Sequence, residues 1–407
     1  MRRSLPFLLS LLLVSSLQAE DPPKLVVHEW GTFTSVSGSD GVALEWRPLS
    51  GPSDLPGFVH GAGGNIHGSR SYEAGDCTCP ECIRTNHADC RCCKKCMKGT
   101  VRMETPVIYF YADRECEAYV QVGFPKGRIT EWYPWAQEAS PGRGIDWGRF
   151  KILPGAKADL PTEKGDDHYY AARETDSALL RVCGSNGRSE TEKFLFYRGV
   201  GTFALPLSAT LQEDTLILHN VQTGHKLSDI HYLAFFGDAK GGSRGWCGQV
   251  AGETQAGMKV SPGVWKNGKL GVPAKEFKED LRRMLVAAGL YEKEAVAMIE
   301  TWKDSWFGPG LRVFYILPRE EVDRILPLTI APTPGELKRV MVARLEILTP
   351  ELEKEILDLV DAGRIEEAVK KHGRFAEPVL KLLLAKEKDA GRRKEMERFL
   401  ANGRGER

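Results

Sequence analysis

The sequence predicts an α+β protein: an antiparallel β-sandwich-like body with a cysteine-rich insertion, then a smaller α+β segment and a helical C-terminal tail. Three observations predict it. From Leu25 to about Gly237 short β-branched and aromatic runs are punctuated by glycine, proline and asparagine, the texture of strands joined by turns. After Val272 the apolar spacing lengthens to that of amphipathic helices. Between the first and second strand runs, seven of the chain's ten cysteines fall within residues 77–96.

The chain opens MRRSLPFLLSLLLVSSLQAEDPP. Arg2 and Arg3 precede an apolar run from Leu5 to Leu17, and Gln18 and Ala19 precede the acidic start at Glu20. That is the layout of a cleaved secretory signal over residues 1–19, with an apolar run shorter than the roughly 20 residues of a spanning helix. No later stretch is long and apolar enough to cross a bilayer, and no cysteine follows the apolar run to carry a lipid. The expectation is an exported protein, periplasmic or extracellular, with no transmembrane anchor after cleavage. Loss of residues 1–19 leaves 54 basic against 55 acidic residues, a balance that steers the chain toward neither nucleic acid nor anionic membrane. With 42% hydrophobic residues it can bury one large core or two moderate ones.

The body is expected over residues 20–272. KLVVHEWGTFTSV (24–36) reads as its first strand and ends at the turn cluster SGSDG. METPVIYFY (103–111) has the length of a buried strand, and CEAYVQV (116–122) alternates, with Ala118, Val120 and Val122 on one face. FPKG (124–127) turns into RITEWYP, and EKFLFYRGVGTF (192–203) and TLILHNVQTGHKLSDIHYLAFFG (215–237) supply further strands. No helical crossover separates these runs, which favours antiparallel pairing.

Residues 273–348 form the α+β segment. Phe277, Leu281, Leu285 and Ala288 make one helical stripe, and Ala295, Met298, Ile299, Trp302 and Trp306 make a second, stopped by Pro309 and Gly310. LRVFYILP (311–318) and KRVMVARLEIL (338–348) read as strands around EEVDRILPLTIAPTP. The tail, 349–407, opens with an N-cap threonine, Thr349, and Pro350 at the first helical position, followed by a stripe through Leu352, Ile356, Leu357 and Val360. Helix breaks are expected near Gly363, Gly373 and Gly391.

The cysteine window sits in an insertion over residues 70–100. Cys79, Cys82, Cys93 and Cys96 form C-x2-C-x10-C-x2-C, a spacing that closes a tetrahedral Zn²⁺ shell of four thiolates. Cys79, Cys82, His87 and Cys92 overlap it as C-x2-C-x4-H-x4-C, the spacing of a zinc knuckle, without the glycine and aromatic residues that stack bases, so no nucleic-acid partner is expected. Cys77 and Cys90 add further thiolates. The cofactor this pattern favours is Zn²⁺, or a soft ion such as Cu(I). The alternative is no metal at all but disulfides, which an oxidising compartment promotes, with the odd cysteine pairing to Cys116, Cys183 or Cys247. Either way the window is a structural staple, because a closed thiolate site keeps no open position for a substrate.

Other polar residues raise an enzymatic alternative. His219, His225 and His231 lie six apart. A hairpin turning at Gly224–Lys226 would set His219 and His231 about 5 Å apart at their Cβ atoms. FVHGAGGNIHG (58–68) carries His60 and His67 but lacks phosphate-loop spacing and reads as a loop leading into the cysteine window. His28 and Glu29 are neighbours on the first strand and should point to opposite faces, while Glu104 and Arg198 are polar residues in apolar strands, the setting of buried pairs. No nucleophile–base–orienter set is visible.

VHEWGTFTSV (27–36), RMETPVIYFY (102–111) and KFLFYRGVGTF (193–203) resemble a group of exported bacterial proteins that open with HEWGTFTSV. The similarity extends to LRVFYILPREEVDRILPL (311–328) and the tail. The resemblance implies export and a shared β-rich architecture, and no chemistry. The functional expectation is a binding or interaction protein of the envelope or periplasm, its partner unspecified. The alternative is an exported hydrolase of envelope carbohydrate or peptide using His28, Glu29, Glu104 or the three spaced histidines.

Overall fold

Leu25–Ser37 forms strand β1, buried at every position but Val26, as a strand covered on both faces must be. The computed structural model describes residues 21–49, 54–61, 97–140, 143–164, 168–184, 187–212, 215–220, 230–237, 243–250, 258–260 and 272–402. Within them β1 is followed by β2 (His60–Gly61), β3 (Val101–Ala112), β4 (Cys116–Val122), β5 (Gly127–Tyr133), β6 (Glu138–Ser140) and β7 (Gly144–Leu153). A 3-10 turn at His168–Arg173 leads to β8 (Leu179–Cys183), β9 (Ser189–Glu192), β10 (Leu195–Gly201), β11 (Leu207–Gln212) and β12 (Thr215–Asn220). Then come β13 (Ile230–Gly237), β14 (Ser243–Val250), β15 (Met258–Val260), helices α1 (Ala274–Ala287) and α2 (Glu292–Trp306), and β16 (Gly310–Ile316). Helix α3 (Arg319–Ile325), β17 (Leu328–Ala331) and β18 (Glu336–Ile347) precede the tail helices α4 (Pro350–Asp361), α5 (Ile365–His372), α6 (Ala376–Lys386) and α7 (Ala390–Asn402).

The protein is mixed α+β, with several sheets and a helical C-terminal region. Nine strands form one sheet in the order β14-β13-β16-β18-β1-β3-β10-β5-β2. It is mixed rather than purely antiparallel: β1 pairs β18 in parallel, Val26 opposite Glu336 through Ser37 opposite Ile347. The expectation of antiparallel pairing considered only strands close in sequence. β18 follows β1 by about 300 residues of chain, from Ser37 to Glu336, and a long connection is what parallel pairing requires. β16 and β18 therefore lie in the middle of the sheet that β1 and β3 build, and the strands beyond residue 273 complete the core of the body. A second sheet runs β17-β4-β7-β8-β9, with β6 on β7, and a third runs β11-β12-β15.

Period-two alternation divides the cores. One face of the nine-stranded sheet sends Val27, Phe33, Met103, Ile108, Phe110, Met341 and Ala343 against Val120, Phe150, Leu180, Leu207 and Leu218 of the two smaller sheets. The other face sends Trp30, Val107, Tyr109, Phe314, Val340 and Val342 against Phe277, Leu281, Leu285, Met298, Trp302 and Trp306 of α1 and α2. The helical stripes read from the sequence are the ones that dock. A third cluster packs α4 to α7 on Val36, Trp46 and Leu348 at the end of the β1–β18 pair. Thr349 caps α4 by accepting the Leu352 N–H, with Pro350 inside the first turn. Gly363 (φ 66°) and Gly373 (φ 54°) end helical segments in the left-handed region, as glycine permits. Gly391, expected at a break, is the second residue of α7. Among the described residues no helix is long and apolar enough to cross a membrane.

Candidate functional site

The nine-stranded sheet is irregular along one line that crosses its middle. The β1–β3 register shifts between Trp30 and Thr32, the β10–β3 register between Phe196 and Gly199, and the β10–β5 register between Arg198 and Gly199. Thr105, in β3, has φ 48°, the left-handed region. A Cβ on Gly31 would lie 2.8 Å from the Pro106 Cα, so β1 needs a glycine where β3 approaches it. Bulges and strained backbone gather where side chains are re-aimed for function. Here they surround charged groups.

Three buried networks hold the predicted acid–base residues Glu104, Glu29 and His28. In the first, Glu104 accepts from the Thr34 hydroxyl at 2.7 Å and pairs with Arg102 at 3.2 Å. Arg102 also donates to the Pro48 carbonyl at 2.9 Å and to Asp54 at 3.2 Å, and Arg198 donates to Asp54 at 2.6 Å. Burial opposes the Arg198 charge, but Asp54 and Glu131 outweigh it and raise its pKa further. Asp54, 34% exposed, brings this network to the surface.

In the second, on the opposite face, Glu29 accepts from the Tyr197 hydroxyl at 2.5 Å and from Arg339, which also reaches Asp323 at 2.6 Å. Burial and the neighbouring Glu29 charge push the Tyr197 phenol well up, so it remains a donor. In the third, back on the helix face, His28 Nδ1 lies 2.8 Å from Glu294 of α2. Glu294 also accepts from the Tyr111 hydroxyl at 2.8 Å and from the Tyr291 N–H at 2.7 Å, closing the first turn of the helix. Burial, then Glu294, raises the Tyr111 phenol.

These geometries determine what the predicted acid–base residues can do. His28 and Glu29 point to opposite faces, as alternation requires, and both are fully buried. Glu29 and Glu104 are each buried and paired with an arginine, Arg339 and Arg102 respectively. The structure brings Glu104 and Arg198 into one network through Asp54, but it does not bring His28, Glu29 and Glu104 around a common point.

The spaced histidines do not assemble either. The hairpin expected to join His219 and His231 is not formed: β12 pairs β11 and β15, while β13 pairs β14 and β16. Leu216 and Leu218 of β12 bury into the first core from the three-stranded sheet, and that burial draws the strand away from β13. His219 Nε2 lies 2.8 Å from Thr210 Oγ1, and His231 is exposed on β13. His225 and His67 lie outside the described residues.

The predicted thiolate set (Cys77, Cys79, Cys82, His87, Cys90, Cys92, Cys93 and Cys96) also lies outside the described residues. Among the described residues no group of histidine, cysteine and carboxylate side chains could hold a metal, and Cys116, Cys183 and Cys247 are free thiols. Burial raises the Cys116 thiol, with a smaller push from Asp113, and a raised thiol is a poor ligand and nucleophile.

Sequence reasoning missed Glu294, Arg339 and the pair His60–Glu190. Glu294 sits in a helix's first turn, where an acid is expected for the dipole alone. His60 occupies β2, and its Nε2 lies 3.0 Å from both carboxylate oxygens of Glu190 on β9. Both members of that pair are partly exposed, at 29% and 28%. No protein-family model matches the chain, and no curated protein matches it.

Proposed function

We propose that this is an exported binding or interaction protein of the bacterial envelope, with its cysteine window clamped as a structural staple by Zn²⁺, by Cu(I), or by disulfides. The observation that carries the reading is the fate of the acid–base candidates. His28, Glu29 and Glu104 are separated, buried and each tied to an ionic partner, which is the arrangement of groups that build a scaffold. An exported hydrolase, the competing reading, requires such groups to converge where a substrate can reach them. The motif HEWGTFTSV, shared with the exported group it resembles, forms the core of β1, so its sequence is accounted for by burial in the central strand.

The mature protein is expected to co-sediment saturably with a bacterial cell-wall and membrane fraction, without releasing sugar or peptide from it. Release of either, with no saturable binding, would replace this reading with the hydrolase. Elemental analysis and thiol counting on protein purified without added metal test the staple. About one Zn or Cu per chain with few disulfides is the thiolate outcome. Free thiols throughout the window with no metal would remove the staple.

A further inference from the structure

We infer that the surface where two sheet edges meet, formed by His60, Glu190 and the aromatic residues around them, binds a neutral, polyhydroxylated ligand, a glycan of the envelope. This rests on the binding-protein reading and deepens it. β2 is the last strand of the nine-stranded sheet and β9 the last strand of the second sheet. The His60–Glu190 bond joins these two edges, with the side chains 29% and 28% exposed. Glu190 is anchored from a third direction, because it accepts the Trp135 N–H at 2.6 Å. His60 meets both oxygens of that carboxylate through Nε2.

Aromatic rings surround the pair. The His60 ring stacks on Tyr133 at 5.8 Å and leans on Trp132 at 6.4 Å. Phe58 packs edge-on to Tyr133 at 5.0 Å and to Tyr169 at 5.5 Å, and Arg173 lies over the Phe58 ring at 5.8 Å. Phe58, Trp132 and Trp135 are half-buried, so each presents part of its surface outward. Arg173 is held by Glu192 through three hydrogen bonds of 2.6 to 3.1 Å, which fixes the aromatic layer from beneath.

The chemistry selects the ligand. Half-exposed aromatic faces with one carboxylate and one imidazole offer apolar surface beside a few fixed hydrogen-bonding groups. A sugar ring presents the complement, C–H faces and hydroxyls that donate to a carboxylate and exchange bonds with an imidazole. An anionic ligand meets the Glu190 carboxylate and is repelled. Strand addition by an extended peptide needs a longer template than the two residues of β2.

The test is co-sedimentation of the whole mature protein with a bacterial cell-wall fraction, before and after periodate oxidation of its sugars, for wild type, Glu190→Gln and His60→Ala. The unfolding midpoint of each variant is followed by tryptophan fluorescence, and whichever variant keeps the wild-type midpoint is the one compared. Saturable binding that periodate abolishes and that the variant weakens tenfold or more is the expected result. Binding that survives periodate, or is equal in the variant, overturns the glycan site and leaves the binding-protein reading standing. Absence of binding to the untreated fraction overturns both.

Discussion

Replacing Glu346 with glutamine is expected to cost about 3–5 kcal/mol of unfolding free energy at pH 7, because it leaves two buried guanidiniums without their counter-charge. Glu346 accepts from Arg312 at 2.8 Å and from Arg344 at 2.5 Å. The two arginines in turn satisfy the end of α2 and the turn after it. Arg312 donates to the carbonyls of Trp306, Gly308 and Pro309 at 2.9, 2.7 and 2.7 Å, and Arg344 donates to the Ser305 carbonyl at 2.9 Å. A helix C-terminus carries unpaired carbonyls and partial negative charge, so two cations there are favourable only while a carboxylate keeps the group balanced. Burial by itself would raise the Glu346 carboxyl, but Arg312 and Arg344 override it and hold it below its ordinary value of 4.5. The folded value is depressed, so the stabilisation is fully present above the ordinary value and is lost as pH falls through the folded one. The gap between wild type and Glu346→Gln should therefore be widest near neutrality and shrink as pH drops below about 4.5, where glutamate ordinarily titrates. Urea midpoints from pH 7 down to 3 check both parts. A loss under about 1 kcal/mol at pH 7, the range of an exposed pair, would mean that the carbonyls alone neutralise the arginines.

Much of the secondary structure was legible because period decides it locally. The stripe Phe277–Leu281–Leu285 could only be a helix face, and it is the face that meets the sheet. Thr349 followed by Pro350 announced a helix start with its own hydrogen bond. The sheet order was not legible. The parallel pairing of β1 with β18 joins strands far apart in the chain, and nothing in VHEWGTFTSV names a partner some 300 residues away, the separation of Glu29 and Arg339. The same reason hid the polar networks. Glu104 and Arg198 stood out as charges in apolar strands, and the expected buried network was found, but they are linked through Arg102 and Asp54, and Asp54 lies in a connecting segment with no periodic signal. His60 read as a loop residue, because a two-residue edge strand is too short to alternate. What made it a candidate was Glu190, 130 residues further on, brought near only when two sheet edges meet.

Arg339→Met is the second substitution with a large expected effect, again about 3–5 kcal/mol, and its diagnostic partner is Glu29→Leu. Glu29 and Arg339 are directly opposite one another across the parallel β1–β18 pair, and neither side chain has any exposure. Removing the arginine leaves a carboxylate in the core with only the Tyr197 hydroxyl as donor. Removing both replaces a buried ion pair by apolar groups of similar length, a change that is often neutral. The double variant is therefore expected to recover more than half of the single variant's loss, with a coupling energy of at least about 1.5 kcal/mol in the mutant cycle. The pair also selects register. A slip of one residue would set Lys338 or Val340 opposite Glu29 and turn every side chain of one strand to the wrong core. Amide exchange along β1 and β18 should accelerate in Arg339→Met and return near the wild-type rate in the double variant, where the apolar pattern alone restores the register. If the two losses simply add, the ion pair is not coupled across the joint. The parallel pairing at the centre of the sheet would then be held by the flanking apolar layers, Val27 with Met341 on one face and Trp30 with Val342 on the other.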